Sequence, residues 1–78
     1  MKTTLYFDLI RSRPDRVMIT DAWIRKAIDT PLREFQQADG RIRRWARIPE
    51  MSDRVLRVVL LSDRETVHNA FFDRRFEP

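Results

Sequence analysis

The residues best suited to chemistry are the only histidine, His68, a glutamate, Glu34, and a run of arginines from Arg41 to Arg57 that brackets Trp45. An imidazole transfers protons near neutral pH, a carboxylate can partner it, and a guanidinium presents a planar fork that fits phosphate. Metal-independent RNA cleavage needs such a set: a base for the 2′-hydroxyl, an acid for the leaving oxygen, and positive charge on the phosphate. His68, Glu34 and Arg57 are therefore the catalytic candidates. Arg43, Arg47 and Arg74 would hold phosphates, and Trp45 would stack an unpaired base. A plainer role competes with each assignment. Trp45 can pack on apolar neighbours, the arginines can lay their stems over it, and His68 can be an ordinary cross-strand residue.

Charge supports an anionic partner. Of 16 basic residues, 14 are arginine and only Lys2 and Lys26 are lysine. Arg41, Arg43, Arg44, Arg47, Arg54 and Arg57, set against Glu50 and Asp53, account for the whole net charge of +4. Arginine serves bidentate and stacking contacts better than lysine does. The chain has no cysteine, so neither a disulfide framework nor a thiolate metal site is available. One histidine without HExxH-type spacing builds a zinc site only if carboxylates supply the other ligands, and no cofactor is expected. Asp8 interrupts the first apolar run too early for a signal peptide, and no segment reaches the length of a membrane span. A cytoplasmic protein is the expectation. There is no glycine-rich phosphate loop, and nothing marks Ser12, Ser52 or Ser62 as an activated nucleophile. Arg25 and Lys26 lie on a helix with no second helix in helix-turn-helix arrangement, which disfavours specific DNA reading.

The elements that must position these side chains are legible to different degrees. The 78 residues suffice for one domain with an economical core. Thr20 is suited to cap a helix and Asp21 to complement its dipole. Ile19 and Ile24 have the spacing of a hydrophobic staple; Trp23, Ile24, Ala27 and Ile28 form one apolar stripe; Pro31 closes the segment. Strands are expected over 33–38, 41–48, 54–62 and 65–72. Turns fall at Asp39-Gly40 and Asp63-Arg64, and Gly40 is the only glycine. Leu5 to Ile10 could add a strand at the start. The expected fold is α+β: a four-stranded antiparallel meander packed on one short helix.

Two-residue turns set the register. With parity preserved through the Pro49 to Asp53 loop, they place Phe35, Ile42, Ala46, Ile48, Leu56, Val58, Leu60, Val67 and Phe71 on the face the helix covers. Arg44 and Asn69 fall on that face too, where they would need hydrogen-bond partners or an edge position. Glu34, Gln36, Arg43, Trp45, Arg47, Arg57 and His68 take the opposite face, with Val55, Val59, Leu61 and Phe72. A slip of one residue would invert a strand. One helix covers one face. The other must meet solvent, the N-terminal segment or a partner.

Across Asp39-Gly40-Arg41-Ile42-Arg43-Arg44-Trp45 and His68-Asn69-Ala70-Phe71-Phe72-Asp73-Arg74, the chain resembles an uncharacterised family of small bacterial proteins, a domain of unknown function. The resemblance extends over most of the chain from Asp15 onward. Members of that family are similar in size and layout to BrnT- and RelE-type ribonuclease toxins of toxin–antitoxin modules. The resemblance implies a helix followed by an antiparallel sheet, and an antitoxin protein as partner. Two functions follow as expectations. One is RNA binding, extending to cleavage, through the Arg-Trp-His face. The other is a non-enzymatic interaction module that forms a homodimer or binds a partner through the uncovered sheet face.

Overall fold

The computed structural model describes residues 1–77. In chain order the elements are α1 (Leu5–Ile10), α2 (Asp21–Asp29), β1 (Arg33–Gln36), β2 (Ile42–Ile48), a single 3-10 turn (Pro49–Met51), β3 (Arg54–Leu60) and β4 (Val67–Phe72). The strands form one antiparallel meander in the order β1-β2-β3-β4. The α+β architecture expected from the sequence is present.

Thr20 caps α2 as its position requires, its hydroxyl accepting from Trp23 N–H at 3.2 Å. Ile19 and Ile24 are both buried beside this cap. The stripe of α2 packs chiefly on β2 and β3.

Leu5–Ile10, expected as a strand, is instead a second short helix. Thr4 is its N-cap, with Oγ1 accepting from Phe7 N–H at 3.1 Å. Phe7 and Ile10, three residues apart on one helical face, are both buried. Strand-like pairing is confined to the residues just before it. Thr3 bridges Val67 in parallel, and Thr4 N–H donates to Val67 O. This stretch lies along the outer edge of β4 and leads α1 onto that end of the sheet. Arg11 donates to Asp21 at 2.6 Å and ties the end of α1 to the start of α2.

The core lies between the helices and one sheet face. Phe7, Ile10, Ile19, Ile24 and Ala27 meet Ile42, Ala46, Ile48, Leu56, Val58, Leu60, Val67 and Ala70. Arg44 shares the sheet side of this layer. Its guanidinium donates to Glu34 and to the Ile28 carbonyl at the end of α2, both at 2.7 Å. The need for partners is met.

Two departures from the expected register change which residues share a face. The β1–β2 connection is one residue longer than a two-residue turn. Gln37 N–H donates to Arg41 O, Gly40 N–H donates to Gln37 O, and Gly40 has φ +90°. This is a type I turn closed by a left-handed glycine, the three-residue hairpin loop. The added Cβ of an alanine would have ordinary room there, 3.7 Å from Ser62 Cβ, so it is the backbone angle that demands glycine. The extra residue pairs Phe35 with Arg43 and Glu34 with Arg44. Phe35 thus moves to the far face, while Glu34 and Gln36 move to the helix side.

The second departure is a bulge in β4 opposite Val59 and Leu60. Val67 pairs with Leu60 as expected, but beyond the bulge Asn69 pairs with Val59, Phe71 with Arg57 and Phe72 with Leu56. Phe71 therefore joins the far face and Phe72 packs against the core, its ring 6.2 Å from that of Trp23.

Candidate nucleic-acid interface

The far face of the sheet carries Arg33 and Phe35 on β1, Arg43, Trp45 and Arg47 on β2, Val55, Arg57 and Val59 on β3, and Asn69 and Phe71 on β4. Arginine and aromatic side chains alternate across it. The Arg43 guanidinium carbon lies 5.4 Å from the Phe35 ring, and that of Arg57 lies 5.6 Å from Trp45 and 5.0 Å from Phe71. Such stacking suits a flat, weakly hydrated guanidinium and fixes its plane while leaving edge N–H groups for other acceptors.

The middle of this face is not open. After β4 the chain folds back over it, and Phe76 packs on Trp45 with ring centroids 5.4 Å apart. Arg33 stacks on the other side of this contact, 4.9 Å from the Phe76 ring, and donates to Glu77 O. Trp45 retains only 6 % of its accessible surface. One carboxylate holds the arrangement. Asp73 Oδ2 accepts from Trp45 Nε1 at 2.9 Å and from Arg57 at 2.8 and 3.1 Å, while its other oxygen accepts from Arg75 N–H. Burial alone would raise the Asp73 pKa; the hydrogen bonds from Trp45 and Arg57 outweigh it, and the group lies below its ordinary value. Trp45 is therefore a covered structural residue whose indole N–H is engaged, and Arg57 is neutralised in place.

His68 sits at the bulge of β4, and its contacts are with the N-terminal segment. Tyr6 of α1 stacks on the imidazole with centroids 5.0 Å apart. His68 Nδ1 lies 3.1 Å from Thr4 Oγ1. That hydroxyl also accepts from Phe7 N–H. Desolvation first, and Arg41 second, lower the His68 pKa below 6.5, which favours the neutral ring.

Glu34 lies on β1, on the helix side, bonded to Arg44 at 2.7 Å and to Arg64 at 3.0 Å. Those bonds lower its pKa, which weakens it as a proton carrier near neutrality. β1 and β4 are opposite edges of the sheet, roughly 14 Å apart at ordinary strand spacing. The fold thus does not bring His68, Glu34 and Arg57 together. Each has its own partners.

The remaining predicted site residues divide. Arg43 and Arg47 share the far face with Arg33, and the Phe35 ring beside Arg43 is 52 % exposed. Arg43 also donates to Gln37, and Arg47 to Asp53 O. Arg74 stands apart, exposed at the end of β4. Asp73 and Phe76, which organise the face, carried only one signal in the sequence: an aromatic returning after a charged run. Among the described residues, no group of three or more His, Asp or Glu is placed to hold a metal ion, and no helix is long and apolar enough to cross a membrane. Comparison with protein-family models, curated proteins and solved structures finds no match.

The histidine has a measurable signature. With its folded pKa below 6.5, His68 binds a proton less readily in the folded chain than in the unfolded one. Its contribution to stability is complete above about pH 6.5 and declines as the pH falls toward the folded value. Urea unfolding at about pH 7.5 and about pH 5.5 should show wild type losing more stability than His68→Gln. Equal losses would contradict the described environment of the ring.

Proposed function

We propose that this protein binds single-stranded RNA through the arginine–aromatic strip on β1 and β2. The observation that carries this is Phe35, a residue 52 % exposed with the Arg43 guanidinium over its ring, and with Arg33 and Arg47 further along the same face. An exposed ring stacks an unpaired base, and guanidinium N–H groups donate to neighbouring phosphates. The net charge of +4 draws a polyanion to the surface. The base-stacking role expected of Trp45 passes to Phe35, because Trp45 lies beneath Phe76. Binding is the part of the expected activity that the geometry favours. Cleavage would need His68 and Glu34 near one phosphate, and they occupy different strands with different partners.

Short single-stranded RNA should bind with an affinity that falls as salt rises. The logarithmic slope should be about −2, from roughly three phosphate contacts at about −0.7 each. Arg43→Ala should reduce the slope by about 0.7 and weaken all sequences alike, and Phe35→Ala should cost about 1–3 kcal/mol of stacking. Isothermal titration at several salt concentrations measures both. Undetectable binding at low salt would overturn the proposal.

A second observation favours a partner chain. Leu5 and Leu9, one turn apart on α1, are 73 % and 67 % exposed, and Val17 in the following turn is 65 % exposed. The pair on α1 forms one exposed aliphatic stripe, a feature of interaction surfaces, on a different element from the strip on β1 and β2. Its simplest occupant is a second copy of the chain. Sedimentation velocity should show a concentration-dependent dimer that Leu9→Glu abolishes. A monomer throughout would count against self-association.

A further inference from the structure

Beyond the strip on β1 and β2, at the opposite edge of the sheet, the chain builds a second cationic site. The start of β3, the end of β4 and the turn before α2 enclose a cleft of about 260 Å³ lined by Asp15, Arg16, Arg54, Phe71, Phe72 and Arg74. A neighbouring cleft of about 380 Å³ shares Phe71, Phe72 and Arg74 and adds Arg57, Asp73 and Arg75. The two hold five guanidinium groups against two carboxylates.

Both carboxylates are committed. Asp73 serves Trp45 and Arg57, and Asp15, itself exposed, lies 3.4 Å from Arg16. Among the described residues, Arg54, Arg74 and Arg75 form no ion pair. Two guanidinium groups are held in position before any ligand arrives. Arg54 stacks 4.3 Å from the Phe72 ring centre. Arg16 donates to Asn69 at 2.6 Å and to Ala70 O at 3.3 Å, and lies 5.3 Å from Phe71. A stacked guanidinium keeps its face on the ring and turns its in-plane donors outward, the geometry that grips phosphate oxygens.

We infer that this cleft takes the terminal phosphate monoester of an RNA strand, with the terminal nucleoside in the neighbouring cleft against Phe71. The inference rests on the RNA-binding proposal and names the strand end as the part recognised here. Charge and the number of free oxygens separate a monoester from an internal diester. A monoester carries about −1.5 to −2 near pH 7 and three free oxygens, whereas a diester carries about −1 and two. The smaller cleft offers Arg16, Arg54 and Arg74 from the turn, the strand and the tail, which suits a group that ends there.

The test compares three RNAs of one sequence, carrying a 5′-phosphate, a 3′-phosphate, or hydroxyls at both ends, by isothermal titration. One phosphorylated form should bind about tenfold more tightly than the hydroxyl-ended form, and which end does so identifies the polarity of the strand. In an Arg54→Gln, Arg74→Gln double variant that ratio should fall to about one. Equal binding of all three RNAs by wild type, or a ratio that survives the double variant, would overturn the terminal-phosphate site while leaving RNA binding intact. Binding of none of them would overturn both.

Discussion

The carboxylate of Asp73 is the interaction on which the far side of the sheet depends. It is the single acceptor that meets both Trp45 Nε1 and the Arg57 guanidinium, and through them it pins the C-terminal residues across the strands. A side chain with 6 % exposure must find compensation for losing water, and Asp73 finds it in a charged donor and a neutral one. Removing the acid would strand an indole N–H and a guanidinium together. Those two groups hold Asp73, and Phe76 lies on Trp45, so a short irregular tail supplies a cover that neither helix can reach.

The same economy explains the prevalence of arginine. A chain of this length has few residues to spare for a second apolar layer. Arginines interleaved with Phe35, Trp45, Phe71 and Phe76 cover aromatic surface with their flat faces and keep their charge in water. Lysine could not stack in this way. The outer edge of β4 is handled likewise: Arg16 donates to Ala70 O, the Asn69 side chain accepts from Ala70 N–H, and Thr3 bridges Val67, so few ladder groups at that edge remain for another strand.

How much of this was legible in the sequence depended on what decided each feature. The α2 segment was readable because its cap, staple and stripe are local and agree with one another. So were the apolar positions of β2 and β3, since Ile42, Ala46, Leu56 and Val58 face a helix that selects for them. The β1 register was not. Asp39-Gly40 serves both two- and three-residue hairpin loops, and all four residues of β1 are exposed, so no buried side chain discriminates between them. Phe35 looked like a core residue because it is apolar, yet its pairing with Arg43 puts it on the face away from α2. The bulge at His68 left no local sign and swapped Phe71 with Phe72. In α1, Thr4 as a cap and the spacing of Phe7 and Ile10 were present, but a mixed run of six residues satisfied a strand equally well. Of the candidate site, the arginines and Phe35 were visible as residues. Their partition into a covered centre, an exposed strip and a cleft depended on tertiary closure by Asp73.

A surface divided in this way separates structural arginine from arginine free to meet a ligand. Arg57 is spent on the fold; Arg43, Arg47, Arg54 and Arg74 keep donors available. The division stands on the engagement of the Trp45 indole beneath the tail. Solvent exchange of the two tryptophan indole protons, measured by NMR, tests it directly, because Trp23 Nε1 donates to Glu50 in an exposed setting and serves as the internal reference. The Trp45 indole proton should exchange at least about tenfold more slowly than that of Trp23. Equal exchange rates would mean that the tail does not close over the sheet, and the division of the arginines would fail with it.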